Sequence, residues 1–244
     1  MSARLAEEVI WHDLECGSYA ADLSLWEELA AAAEGEVLDL GCGTGRVAVH
    51  LARRGHSVVG LDVDGELLAT LARRAKGLTL ETVEADVRDF RLDRDVALAL
   101  APMQTLQLLE GPAEREACLR RVAAHLRPGG GFAAAILEAM PEPDGSPPPL
   151  PDVREVDGWV YSSLAVEAAV GPGEIVIHRL REVVSPSGEL RSEPNRVRIA
   201  TFPAGQLEAE AAAAGLVPVE RRGIGPTDIH VGSTVVVLRK EDEA

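Results

Sequence analysis

Short continuous apolar runs alternate with amphipathic stretches through the first half of the chain. "EVLDL" precedes "RVAVHLARRG", "SVVGLD" precedes "GELLATLARRA", and "LTLETVEAD" follows. Apolar runs of this length, bounded by turn residues, predict strands buried on both faces, and the stretches between them carry the 3.6-residue period of helices. The pattern therefore reads βαβαβ, which implies a parallel sheet. A fourth strand is predicted at residues 96–100. The next helix has Leu119, Val122, Ala123 and Leu126 at i, i+3, i+4 and i+7. "RPGGG" stops that helix, and residues 132–137 form a fifth apolar run.

The character changes at "MPEPDGSPPPLPD", residues 140–152, where prolines remove donors and forbid regular structure, so a linker is expected. Apolar residues then recur at period two over residues 160–170. "GPG" at 171–173 turns the chain, residues 174–184 run back, and "SPSGEL" offers a second turn before residues 196–201. This predicts an antiparallel meander inserted before a closing unit: a helix at 206–214 and strands at 216–221 and 234–239. There is no internal repeat.

Composition narrows the function. Forty acidic residues against twenty-four basic ones give a net charge of −16, which repels a phosphate backbone, so nucleic acid is not an expected partner. Cys16, Cys42 and Cys118 are scattered without metal-ligand spacing, which suits a reducing cytoplasm and predicts neither a disulfide framework nor a metal. No apolar run approaches the roughly 18 residues that span a bilayer, and "MSARLAEEVI" lacks the pattern of a leader, so a soluble, cytoplasmic chain without a membrane partner is expected. The pairs Arg53/Arg54, Arg73/Arg74, Arg120/Arg121 and Arg221/Arg222 read as solvated helix ends.

Candidate chemistry concentrates in "VLDLGCGTGRVAVHLARRG", residues 37–55. A glycine-rich turn between a strand and a helix brings bare backbone close to a ligand, above the positive end of the helix dipole. The dinucleotide pattern GxGxxG, begun at Gly41 and Gly43, fails at its third glycine, where Arg46 stands. The chain instead has Asp39, Gly41, Gly43 and Gly45 as DxGxGxG, and here it resembles the class I S-adenosylmethionine-dependent methyltransferases over most of residues 37–132. The resemblance implies that the loop backbone embraces the cofactor while Asp39 contacts its methionine amino group. It further implies that Asp62 accepts hydrogen bonds from the ribose hydroxyls, and that Asp86 with Val87 meets the adenine. "LRPGGG" resembles the family's turn into the fifth strand. The charge logic agrees: a sulfonium and an ammonium, without a pyrophosphate, suit a site rich in carboxylates. The bland alternatives are a strand terminator for Asp62 and a turn residue for Asp86. Asp64 reads as the cap of the next helix, and Asp89 as a local turn residue.

The acceptor side is less marked. "APMQTLQLL", residues 101–109, follows the fourth strand at the edge where open α/β folds bind ligands, and Gln104 is its first candidate. Relatives of small-molecule type carry a histidine near the end of this segment. This chain has Leu108 and Leu109 there, so no base carries over. The stretch "WHDLECGSYAADLSLW", residues 11–26, is similar to the family's lid helices, with the Tyr19 hydroxyl near the cofactor carboxylate. Trp11, Tyr19, Trp159 and Tyr161 are either walls of a pocket or ordinary packing residues. His12, in the lid, and His230, in "GPTDIHVGS", are base candidates set against structural roles, and His125 is expected on the surface.

The expected fold is α/β: a doubly wound, mostly parallel sheet, seven-stranded by the resemblance, with an inserted antiparallel β cap. Its units are a lid (1–34), a cofactor-binding core (35–139), a linker and cap (140–202) and a closing helix with two strands (203–244). The expected activity is methyl transfer from S-adenosylmethionine to a nitrogen or oxygen of a small molecule, by a monomer or homodimer. The alternatives are an NAD(P)-dependent reductase and a non-catalytic S-adenosylmethionine-binding module.

Overall fold

The computed structural model describes residues 7–141, 150–227 and 230–242. Two helices, α1 (Glu7–Cys16) and α2 (Leu23–Ala32), precede the first strand, β1 (Val37–Leu40). Then α3 (Arg46–Ala52), β2 (Val58–Asp62), α4 (Gly65–Arg74), β3 (Leu80–Glu84), β4 (Val96–Ala101), α5 (Pro112–His125) and β5 (Leu126–Ile136) complete the parallel part. A four-stranded antiparallel sheet follows: β6 (Asp152–Val156), β7 (Trp159–Gly171), β8 (Glu174–Val184) and β9 (Leu190–Ala200). The chain returns through α6 (Ala204–Ala212), β10 (Leu216–Ile224) and β11 (Ser233–Lys240).

The main sheet has seven strands in the order β10-β11-β5-β4-β1-β2-β3, with β11 antiparallel to both of its neighbours. Every residue of β1 and β4 is buried, because helices cover both faces, and this is why their sequences lack alternation. One face packs Leu38, Leu40 and Leu61 against Cys118, Leu119 and Val122 of α5 and Leu207 of α6. The other packs Val37, Val58 and Leu100 under Trp26 of α2, Leu51 of α3 and Leu71 of α4. The strand order reverses at β1 and β4, so a crevice opens beyond their carboxyl ends, the place where such sheets bind ligands.

Several expectations need correction. The meander has a fourth strand, β6, where the proline-rich segment ends; its alternating "DVREV" pairs antiparallel with β7 from Asp152↔Ser163 to Val156↔Trp159. "RPGGG" lies inside β5: the register steps from Val96↔Leu126 to Leu98↔Gly131, so residues 127–130 loop out of the pairing with β4. His125 is buried, not on the surface. Its Nε2 accepts a hydrogen bond from the Leu92 amide at 3.0 Å, so Nδ1 carries the proton it donates to the Arg121 carbonyl at 2.8 Å. Arg221 and Arg222 belong to β10 and pair with Glu208 and Glu28. Of the two readings of Trp11 and Tyr161, packing holds: both are buried edge-to-face, ring centroids 5.3 Å apart, where α1 meets the cap. Residues 142–149 of the expected linker lie outside the described residues.

Candidate functional site

Three left-handed glycines carry the chain from β1 into α3: Gly41 (φ +64°), Gly43 (φ +53°) and Gly45 (φ +92°). Their bareness serves protein packing on three sides. A Cβ at Gly41 would lie 2.8 Å from Cγ2 of Thr105, one at Gly45 2.2 Å from Cδ1 of Leu71, and one at Gly43 2.1 Å from Nε2 of His12. A methyl group on Gly43 would therefore meet the lid before any ligand. His12 lies over the loop rather than in the acceptor chamber, with Nδ1 3.4 Å from Oγ1 of Thr44; burial lowers its pKa, against the pull of Asp13 and Asp62.

Asp62 ends β2 and steadies this loop: Oδ2 accepts from the Gly43 amide at 2.8 Å and Oδ1 from the Asp64 amide at 3.0 Å. Each oxygen keeps a further lone pair. Asp64 caps α4 as expected, accepting from the amides of Glu66 and Leu67. Beneath the loop Asp39 is 1% exposed, and among the described residues neither carboxylate oxygen has a hydrogen-bond partner. Burial pushes its pKa up to about 7, although the Arg46 guanidinium pulls the other way. A buried carboxylate with no donors is costly unless a cation meets it, and an ammonium-bearing cofactor fits that vacancy of charge.

Beyond β3 a shallow cavity of about 440 Å³ is lined by Val63, Asp86, Val87, Arg88, Leu108 and Leu109 among others. Asp86 is held there by Arg88, whose Nε and backbone amide both reach Oδ1, at 2.9 and 2.8 Å; these bonds keep its carboxyl below the usual range. Val63, Val87, Leu108 and Leu109 beside the carboxylates of Asp86, Glu110 and Glu114 suit a flat aromatic base carrying an exocyclic amine.

The lid is tied down by residues the sequence did not mark for this role. Arg46 donates to Asp22 through both guanidinium nitrogens, at 2.5 and 2.7 Å, and to the Tyr19 carbonyl at 3.0 Å; Trp26 Nε1 reaches the same carboxylate at 2.7 Å. Arg46 is thus committed to the lid at the position where a dinucleotide fold keeps glycine. Asp13 of α1 accepts from Thr44 Oγ1 at 2.7 Å, from Arg154 of β6 at 2.9 Å and from Arg74 of α4. Its carboxyl lies at about 2: burial opposes ionisation, and the bonds from Arg74, Thr44 and Arg154 prevail. An acidic residue on an amphipathic lid helix gives no sequence signal of such a meeting point.

A chamber of about 560 Å³ opens between the sheet edge, the lid and the inner face of the cap. Gln104, in a left-handed conformation (φ +61°), reaches it and donates to Ser233 Oγ at 2.9 Å. Tyr19 lines it too, its ring centroid 4.5 Å from that of His230. His230 is half-buried, its Nε2 is buried without a hydrogen-bond partner among the described residues, and burial lowers its pKa. Of the sequence candidates, the structure gathers Asp39, Asp62 and the three glycines at the loop, Asp86 and Val87 at the shallow cavity, and Tyr19, Gln104 and His230 in the chamber.

A family profile described as "Methyltransferase domain" matches residues 37–130. The chain is 30% identical over 200 residues, 81% of its length and 76% of the relative's, to the dTDP-3-amino-3,6-dideoxy-alpha-D-glucopyranose N,N-dimethyltransferase of Streptomyces fradiae. It is 28% identical over 212 residues, 81% of its length and 83% of the relative's, to the dTDP-3-amino-3,4,6-trideoxy-alpha-D-glucopyranose N,N-dimethyltransferase of Streptomyces venezuelae. Its fold is similar to that of the sugar N-methyltransferase KedS8 from Streptoalloteichus, with TM-score 0.76 and 20% identity over 99% of this chain and 95% of the other. The chain belongs to the class I S-adenosylmethionine-dependent methyltransferases. It is an enzyme that transfers a methyl group from S-adenosylmethionine to a nitrogen or oxygen of a small-molecule acceptor. Among the described residues no helix is long and apolar enough to cross a membrane.

Proposed function

We propose that the protein methylates an amine nitrogen and that His230 takes the proton. The carrying observation is the buried Nε2 of His230, without a partner among the described residues, in a chamber whose other buried acids and bases are engaged or suppressed, Glu167 being exposed on β7. Glu15 is held by Arg181 and Asp22 by Arg46, while burial raises the pKa of both Cys16 and Tyr19. An imidazole whose pKa is lowered is a modest base, adequate for an ammonium and poorly matched to an alcohol. The two Streptomyces relatives named above are N,N-dimethyltransferases, which agrees with this choice.

On this reading Asp39 meets the methionine ammonium, Asp62 the ribose, and Asp86 and Val87 the adenine, while Gly41, Gly43 and Gly45 shape the loop and Tyr19 closes the lid side. When bound, the cofactor supplies an electrophilic methyl group on a sulfonium. His230 removes the proton from the acceptor's ammonium, Gln104 fixes the edge of the pocket beside it, and the lid excludes water. Holding nucleophile and methyl in line supplies most of the acceleration, so no stronger base is required. The units 1–34, 35–139, 140–202 and 203–244 serve as lid, cofactor core, acceptor cap and sheet closure. The charge of −16 favours a small acceptor over nucleic acid, and three free cysteines fit the cytoplasm, where the enzyme works as a monomer or homodimer.

The test is S-adenosylhomocysteine release with matched acceptors, an amino sugar and its hydroxy counterpart. The amine is expected to turn over, with the added methyl located on nitrogen by mass spectrometry. Methylation of the hydroxy compound alone would overturn the proposal.

A further inference from the structure

Resting on that reading, we infer that the acceptor is an amine carried on an apolar, phosphate-free body, not a sugar attached to a nucleotide diphosphate. A diphosphate needs cations, because its charge loses hydration on entering a pocket. Among the described residues lining the chamber one guanidinium is present, that of Arg179, and its Nη1 is drawn to Ser163 Oγ at 3.1 Å and to Asp152 at 3.7 Å.

The cap turns aliphatic side chains inward instead. Ile175 and Ile177 of β8 face the chamber with Val197 and Ile199 of β9, across the registers Ile175↔Ile199 and Ile177↔Val197. Side chains alternate along a strand, so Arg196 and Arg198 point to the other face, where Arg198 pairs with Glu174. Arg196 and Arg198 are thereby kept out of the chamber, and Arg191, at the far end of the strand, pairs with Glu7. Leu137 and Met140 continue the aliphatic wall at the end of β5. Such a surface gains from every methylene it covers and offers a phosphate no partner.

The experiment compares one amine on two bodies: dTDP-3-amino-3,6-dideoxyglucose and octyl 3-amino-3,6-dideoxyglucoside. The octyl glycoside is expected to exceed the nucleotide at least tenfold in kcat/KM, and each methylene trimmed from its chain to cost about fourfold, the equivalent of about 0.8 kcal/mol. An equal or better nucleotide substrate overturns the inference and leaves N-methylation standing. Methylation of octyl 6-deoxyglucoside in place of the amine overturns the amine reading instead, and turnover of neither amine, with cofactor binding intact, overturns both. The variant Ile177→Asp provides a second reading. A tenfold rise in KM for the octyl glycoside at unchanged cofactor Kd is expected, and an unchanged KM in the folded variant overturns the inference.

Discussion

Arg46, the first residue of α3, and Asp22, just before α2, form a two-pronged ion pair at 2.5 and 2.7 Å, with Asp22 1% exposed. The pair joins the glycine loop to the lid, and it stands where the dinucleotide pattern would have glycine. Removing one partner strands the other charge in the interior, which costs about 3–5 kcal/mol. Arg46→Gly, which completes the sequence GxGxxG, is therefore expected to lower the melting temperature by several degrees and to gain no affinity for NADH. Calorimetry with both nucleotides checks this, and a stable variant that binds NADH would refute it.

Asp39 sets a pH dependence. Its folded pKa of about 7 lies above the ordinary carboxylate value, so its contribution to stability is whole below that ordinary value and is lost as pH rises through about 7. The cofactor-free protein should therefore lose stability over that interval, and Asp39→Asn should flatten the profile. The same variant should bind S-adenosylmethionine roughly tenfold or more weakly, because the ammonium loses a charged partner. Wild-type affinity should rise as pH passes through about 7. Melting curves and titrations from about pH 4 to about pH 9, which take in the window between the two carboxyl values, would expose a flat wild-type profile if the assignment is wrong.

Gly43→Ala is expected to disturb the lid first. The new methyl would lie 2.1 Å from His12 Nε2, and the backbone at φ +53° is strained for alanine, together costing roughly 1–3 kcal/mol. Removing the obstacle in Gly43→Ala/His12→Ala should recover part of the lost stability. Equal melting temperatures for the single and double variants would show that His12 is not what the methyl meets.

His230→Gln should leave cofactor affinity unchanged while lowering kcat by roughly 10²–10⁴. Because burial lowers the imidazole pKa, wild-type kcat should hold down to pH values below the ordinary histidine range, and the limb set by this group should vanish in the variant. A variant with wild-type kcat and an unaltered pH profile removes His230 from the reaction.

The sheet was legible because its signals are local. Unbroken apolar runs mark strands covered on both faces, and Asp64 announces a helix through amides two and three residues away. The residues that matter at the site were legible as types, and their partners were not. Nothing near Gly43 in the chain says that His12 lies against it, and nothing near His125 says that the Leu92 amide turns inward to it. Strand β6 escaped because five residues after a proline run, three half-buried and two exposed, carry too little apolar character to stand out. Trp11 and Tyr161 illustrate the same limit. The sequence left a binding wall and ordinary packing equally open, because their contact across α1 and the cap is set by long-range packing.

Asp13 gathers the lid helix, the glycine turn, α4 and the cap onto one carboxylate. Because that group stays ionised far into acid, mild acidification gives the assembly no release, and only a concerted rupture of its bonds lets the enzyme breathe. One carboxylate thus fastens the cofactor loop and the acceptor cap to the same helix.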